Sequence, residues 1–133
     1  MNKNILRIID ANVNRSTEGI RVVEEILRFV YKDEKTYKKL RIIRHEIPKL
    51  FINFYPHSVL QRNSYIDPGK KSKEKKYKNI KHIVISNFHR VSESLRVLEE
   101  IAKMLQPKKV QKIKNLRYKI YDLEKFVVEK ILR

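Results

Sequence analysis

The chain contains no cysteine and no tryptophan, only two glycines and four prolines, and 15 acidic residues against 32 Lys and Arg. The absence of cysteine excludes disulfides, thiolate zinc sites and cysteine nucleophiles, and gives no sign of an oxidising compartment. Gly19 and Gly69 stand too far apart to build the glycine-rich loops in which backbone amides approach phosphate, so any phosphate must be held mostly by side chains. So little Gly and Pro also argues against an all-β domain of tight turns. No uninterrupted apolar run approaches the roughly 18 residues of a membrane span. The N-terminus lacks the apolar stretch and small-residue site of a signal peptide. The expectation is a cytoplasmic protein that makes no use of a membrane.

What is present is enough for one core. Hydrophobic residues make up 41% of 133 positions, and the formal charge is +17. The length suits a single domain over residues 1–133, and the apolar fraction argues against global disorder. The chain also repeats itself. Ile8–Val30 aligned with Ile83–Leu105, an offset of 75, gives nine identities in 23 positions: Ile8, Asn12, Arg15, Glu18, Arg21, Val22, Glu24, Glu25 and Ile26 recur as Ile83, Asn87, Arg90, Glu93, Arg96, Val97, Glu99, Glu100 and Ile101. A weaker match pairs Leu40–Ile47 with Leu116–Leu123 at an offset of 76. Repeat units of about 3–54 and 79–132 are joined by a segment over 55–78 that holds Pro56, Pro68, Gly69 and much of the lysine-rich run Lys70–Lys81.

The apolar spacing is helical throughout. Ile5, Ile9, Val13, Ile20, Val23, Leu27 and Val30 form one stripe, and Ile80, Val84, Phe88, Val91, Leu95, Leu98, Ala102 and Leu105 another. Asp33 is suited to cap a second helix carrying Tyr37, Leu40, Ile43, Ile47 and Leu50, which Pro48 would kink or restart. Pro107 suits the first position of a last helix carrying Val110, Ile113, Leu116, Ile120, Leu123 and Val127. The expected fold is all-α: four long helices forming two duplicated helical hairpins, bundled with pseudo-twofold symmetry.

Each first helix carries a matching polar stripe, Asn14-Glu18-Arg21-Glu25 and His89-Glu93-Arg96-Glu100, with Arg15 and Arg90 on its shoulder. Residues four and three apart share a face. Read singly, such residues form surface ion pairs of small effect. However, Arg and Glu are kept residue for residue while the core drifts among Ile, Val, Leu, Phe and Met. That pattern points to geometry, such as forked Arg contacts to oxyanions or carboxylates beside a metal. Arg44-His45 adds a second basic group. Asp67-Pro68-Gly69 is a turn that also presents a carboxylate, and Arg62 precedes it.

The blocks Asn12-Val-Asn14-Arg15-Ser-Thr-Glu18-Gly19-Ile-Arg21-Val-Val-Glu24-Glu25 and Asn87-Phe-His89-Arg90-Val-Ser-Glu93-Ser-Leu-Arg96-Val-Leu-Glu99-Glu100, together with Arg44-His45, resemble the small hydroxymethylpyrimidine phosphate kinase family of thiamine biosynthesis. That family occurs alone and as an N-terminal domain fused to thiamine-phosphate synthase, and this chain would be the stand-alone form. The resemblance implies ATP-dependent conversion of 4-amino-5-hydroxymethyl-2-methylpyrimidine phosphate to the diphosphate. ATP would be the co-substrate and Mg²⁺ the cofactor, with a functional link to thiamine-phosphate synthase. On this reading Arg21, Arg96, Arg44 and His45 are catalytic. Asn14, Arg15, Asn87, Arg90 and Arg62 bind substrate phosphate, and Glu18, Glu25, Glu93, Glu100 and Asp67 ligate the metal.

Other readings stay open. The charge predicts salt-sensitive, non-specific association with nucleic acid, but the basic residues are spread over every segment and no recognised nucleic-acid motif appears. Arg44-His45-Glu46-Ile47-Pro48 is a weak match to a histidine phosphotransfer box. A scaffold bundle, or a homodimer, also fits the pattern.

Overall fold

Asn2 opens the first helix by accepting a hydrogen bond from the Asn4 amide at 2.7 Å, and from there apolar side chains every three or four residues carry α1 over Lys3–Phe29. The computed structural model describes residues 2–74 and 76–133, so Lys75 of the lysine-rich run lies outside the described residues. The helices that follow are α2 (Glu34–Leu50), the single-turn α3 (His57–Leu60), α4 (Ile80–Leu105) and α5 (Val110–Ile131), with 3-10 turns at Ile52–Phe54, Pro68–Lys71 and Pro107–Lys109. The fold is all-α, with no strand among the described residues.

The chain reverses sharply after α1. The Asp33 amide reaches back to the Leu27 carbonyl at 2.9 Å, and Lys32 takes a φ of 55°, a left-handed conformation uncommon outside glycine, Asn and Asp. Asp33 then caps α2, accepting from the Thr36 amide at 3.0 Å. Its other oxygen lies 2.9 Å from the Lys130 ammonium of α5. One carboxylate therefore starts a helix and holds the far end of the bundle. Burial opposes ionisation of Asp33, but the bonds from Thr36 and Lys130 outweigh it and hold the carboxyl below its ordinary pKa.

The core follows the expected stripes. Ile9, Ile20, Val23 and Leu27 of α1 meet Val84, Phe88, Val91 and Leu95 of α4 in one buried cluster with Leu40 and Ile47 of α2 and Ile113 and Ile120 of α5. Burying each such side chain contributes roughly 1.5–3 kcal/mol. Helix α1 packs on α4 and α2, and α4 packs on α5, whereas α2 and α5 touch lightly. The two polar-striped helices thus form the central pair. Gln106 and Lys109, in the α4–α5 connection, both donate to the Leu50 carbonyl at 3.0 Å and close the bundle at that end.

Four details differ from the sequence expectation. Among the described residues there are five α-helices, because α3 forms within the connecting segment and packs on α1. Pro48 does not restart α2, which ends two residues later at Leu50. Pro107 opens a 3-10 turn and α5 begins only at Val110. Val30 and Ile80 are 49% and 41% exposed, being the last-turn cap of α1 and the first residue of α4.

Gly19 sets the spacing of the central pair. A Cβ there would lie 2.8 Å from Val91 Cγ2 and 3.3 Å from the Asn87 carbonyl. A branched, buried Val91 and a helix backbone have little room to give. Gly19→Ala is expected to destabilise the fold by about 1–3 kcal/mol, as overpacking does, read as a lower urea midpoint with unchanged slope. Asp33→Ala is expected to cost about 1–2 kcal/mol at pH 7. Because the folded pKa of Asp33 lies below the unfolded one, its contribution is complete above about pH 4 and is lost as pH falls through the folded value. Urea titrations at pH 7 and pH 3 should therefore show the gap between variant and parent closing in acid.

Candidate functional site

A cleft of about 770 Å³ runs along the contact of α1 with α4, within the range of small-molecule sites. Both copies of the repeat line it at matching positions: Asn12 and Asn87, Arg15 and Arg90, Glu18 and Glu93, Gly19 and Ser94, Val22 and Val97. The periodicity explains this, because these positions follow one another by three or four residues and so share one helix face. When α1 and α4 pack, the two faces combine into one surface. The connecting segment adds Gly69, Ser72, Lys73, Glu74 and Tyr77, and α4 adds Ser86 and His89. The segment is placed by a two-bond fork from Arg62 to Asp10 of α1, at 2.8 and 2.7 Å. At its other end the Tyr77 ring meets His82 edge-on at 5.3 Å.

The charges divide into engaged and open groups. Glu24 and Glu99, twins in the repeat, are almost fully buried, and each is bound by an Arg from the following helix. Arg44 forks onto Glu24, its second bond measuring 3.3 Å. Arg117 places one nitrogen 3.3 Å from both oxygens of Glu99 and donates to the Tyr121 hydroxyl at 3.1 Å. Burial works against the Arg117 charge, but these partners hold its pKa above the ordinary value. On the surface, Arg21 pairs with Glu25 and Arg96 with Glu100, each at 3.0 Å. By contrast Arg15, Glu18, Arg90 and Glu93 form no ion pair among the described residues.

Of the candidates named from the sequence, the cleft therefore gathers Arg15, Arg90, Asn87, Glu18 and Glu93. It does not gather Arg21, Arg96, Glu25 or Glu100: Arg21 pairs with Glu25 and Arg96 with Glu100 in solvent, and Arg96 also lies 3.7 Å from Glu99. Arg44 ties α2 to α1, and the exposed His45 beside it does not line the cleft. Arg62 is engaged by Asp10, which holds its pKa up through that hydrogen bond. Asn14 is half-buried off the cleft. Asp67 accepts from the Gly69 amide at 2.9 Å and stands behind the turn rather than in the cleft wall.

Several lining residues were not singled out as site candidates. Asn12, Val22 and Val97 belong to identical pairs of the repeat, so the repeat itself carried the signal. Tyr77, Lys73 and Glu74 had none, because their position depends on the course of the connecting segment.

The cleft balances Arg15, Arg90 and Lys73 against Glu18, Glu93 and Glu74. Among the described residues no three His, Asp or Glu come together around one point. A metal cage made by protein alone is thus absent from the described residues. Two open carboxylates lining the same cleft as two open guanidiniums are the kind of ligand Mg²⁺ takes, one or two protein carboxylates with phosphate and water completing its shell. No helix among the described residues is long and apolar enough to cross a membrane.

Replacing Arg15 or Arg90 with Gln is expected to weaken binding of inorganic tripolyphosphate about tenfold at 0.15 M salt, whereas Arg21→Gln changes it less than about twofold. Titration calorimetry reads the difference, and melting temperatures should stay within a degree or two.

Comparison with known proteins adds sequence kinship. The model of the ThiD2 family matches residues 7–126. Thiamine-phosphate synthase of Nostoc punctiforme is 36% identical over 123 residues, covering 90% of this chain and 34% of that protein. The Gloeobacter violaceus enzyme of the same name is 36% identical over 126 residues, with 90% and 35% covered. The Prochlorococcus marinus one is 31% identical over 127 residues, with 96% and 37% covered. The chain spans about a third of the length of these curated relatives. No solved structure matches it significantly.

Proposed function

The chain belongs to the ThiD2 family, and from that premise we propose that it is an ATP-dependent kinase of thiamine biosynthesis, converting 4-amino-5-hydroxymethyl-2-methylpyrimidine phosphate to the diphosphate. The observation that carries this reading is the cleft in which Arg15 and Arg90, and Glu18 and Glu93, meet without ion partners among the described residues. The two hairpins act as pseudo-twofold halves, each supplying one Asn, one Arg, one Glu and one Val. Two anions must be brought together in this reaction, and two halves of like chemistry suit that task.

The acceptor is a phosphate monoester, whose second pKa near 6 leaves it largely dianionic at neutral pH. No general base is needed. An oxygen of that phosphate attacks the γ-phosphorus of ATP, the bond from γ-phosphorus to the β,γ-bridging oxygen breaks, and ADP leaves. The barrier is mostly mutual repulsion and misalignment, and catalysis consists of positioning and charge neutralisation. Arg15 and Arg90 hold phosphoryl oxygens through charge-assisted hydrogen bonds. Glu18 and Glu93 would hold Mg²⁺, which neutralises the β- and γ-phosphates when bound. Val22 and Val97 give each half an apolar surface for a ring, and Lys73 brings a further cation from the connecting segment.

Selectivity for the phosphorylated acceptor follows from the same charges. An acceptor alcohol forgoes the charge-assisted contacts that the phosphate makes with a guanidinium of the cleft. The kinship with thiamine-phosphate synthases fits a product handed to such an enzyme, in the cytoplasm.

The test is incubation of the purified chain with Mg-ATP and the pyrimidine phosphate, followed by phosphorus NMR. The diphosphate and ADP should appear in equal amounts. The unphosphorylated alcohol should give no product, and chelation of Mg²⁺ should abolish turnover. Failure to form diphosphate from the phosphate acceptor overturns the proposal.

A further inference from the structure

Asn12 and Asn87 are twins in the repeat, and each uses its side chain in the same unusual way. Asn12 Nδ2 donates to the Ile8 carbonyl at 2.9 Å, and Asn87 Nδ2 donates to the Ile83 carbonyl at 2.8 Å. A carbonyl oxygen only accepts, so each contact fixes which end of the amide is nitrogen. The Oδ1 of each side chain therefore turns away from its own helix.

Neither Oδ1 accepts a hydrogen bond among the described residues. Asn12 is only 4% exposed, yet its Oδ1 is not among the sealed, unpaired buried atoms. Since Asn12 lines the cleft, the open side of that oxygen is the cleft itself. Asn87 also lines the cleft, and its Oδ1 lies 3.9 Å, an ordinary contact distance, from where a Gly19 Cβ would stand. Asn in a helix interior is less favourable than Ala, and back-bonding to the preceding turn does not improve helix stability. Two helical Asn, Asn12 buried and Asn87 half-buried, alike in both copies and each with an idle acceptor, are better suited to receive a donor than to stabilise the bundle.

We propose that Asn12 and Asn87 are specificity residues of two equivalent half-sites, each Oδ1 accepting a hydrogen bond from the exocyclic amino group of a flat nitrogen heteroaromatic ring whose phosphate reaches Arg15 or Arg90. The identity of the two rings rests on the kinase reading: the 4-aminopyrimidine of the acceptor and the adenine of ATP each carry one amino donor. A single acceptor chemistry, duplicated with the fold, then serves both substrates. Val22 and Val97 offer apolar surface beside it. An analogue lacking the amine strands the acceptor against a ring carbon, which is costly because the site is built around that bond.

Equilibrium binding of each ligand alone, by calorimetry, tests this without any turnover. The ligands are Mg-ATP, Mg-purine riboside triphosphate, the pyrimidine phosphate, and its analogue with hydrogen in place of the 4-amino group. On the unaltered chain, loss of the amine should weaken each ligand about tenfold. Asn12→Ala should abolish that preference for one ring and spare it for the other, and Asn87→Ala should do the reverse, which also assigns the halves. Circular dichroism checks that both variants fold, and the ligand series on the unaltered chain stands without them. Amine removal that changes both affinities less than twofold overturns the proposal, as do folded Ala variants that keep the full preference for both rings. Those results leave the kinase reading intact if diphosphate still forms. If neither amino ligand binds the unaltered chain, both readings fail together.

Discussion

The close approach of α1 and α4 at Gly19 is the constraint on which the rest of the molecule depends. Only a residue without Cβ lets Val91 and the Asn87 backbone come so near. That contact merges two helix faces into one cleft. Its repeat mate, Ser94, has a Cβ but directs its hydroxyl back to the Arg90 and Val91 carbonyls at 2.8 and 2.9 Å. The small side chain is kept on both helices, so the two halves reach a common surface by slightly different means.

Charge is sorted by burial. The paired acids of the repeat fall into three classes although they are identical in sequence. Glu24 and Glu99 are sealed and bound by Arg44 and Arg117, tying the second helix of each hairpin to the first. Removing one partner of such a pair is expected to be far more damaging than loss of a surface pair, because the other charge stays buried. Glu25 and Glu100 lie in solvent with Arg21 and Arg96, where pairing contributes little. Glu18 and Glu93 face the cleft. The distinction is a matter of angle around the helix, roughly 100° per residue, set against a partner that only the assembled bundle supplies.

The connecting segment breaks the symmetry. Asp10 has the apolar Ile85 as its repeat mate, and it is this unmatched carboxylate that receives Arg62 and fixes where the segment begins its course. The segment then contributes Lys73, Glu74 and Tyr77 to the cleft once only. The cleft thus joins two like helix faces under a single unlike cover.

Helices, core and duplication are legible in the amino-acid order alone. Apolar spacing of three and four residues placed Ile9, Ile20, Phe88 and Leu95 in the interior, and the absence of cysteine and near-absence of glycine removed whole classes of site. The repeat also marked Arg15, Glu18, Arg90 and Glu93. It could not separate them from Arg21, Glu25, Arg96 and Glu100, which recur just as faithfully, because one helix wheel does not say where a second helix will lie. Nor did it give the partner of Glu24. Local alignment matched Arg41 to Arg117, whereas the packed hairpins put Arg44, one turn further on, in the corresponding place. Which charges are engaged and which remain open is settled in the assembled bundle, since it depends on contacts between residues 18 to 52 positions apart and on the course of a segment without periodicity of its own.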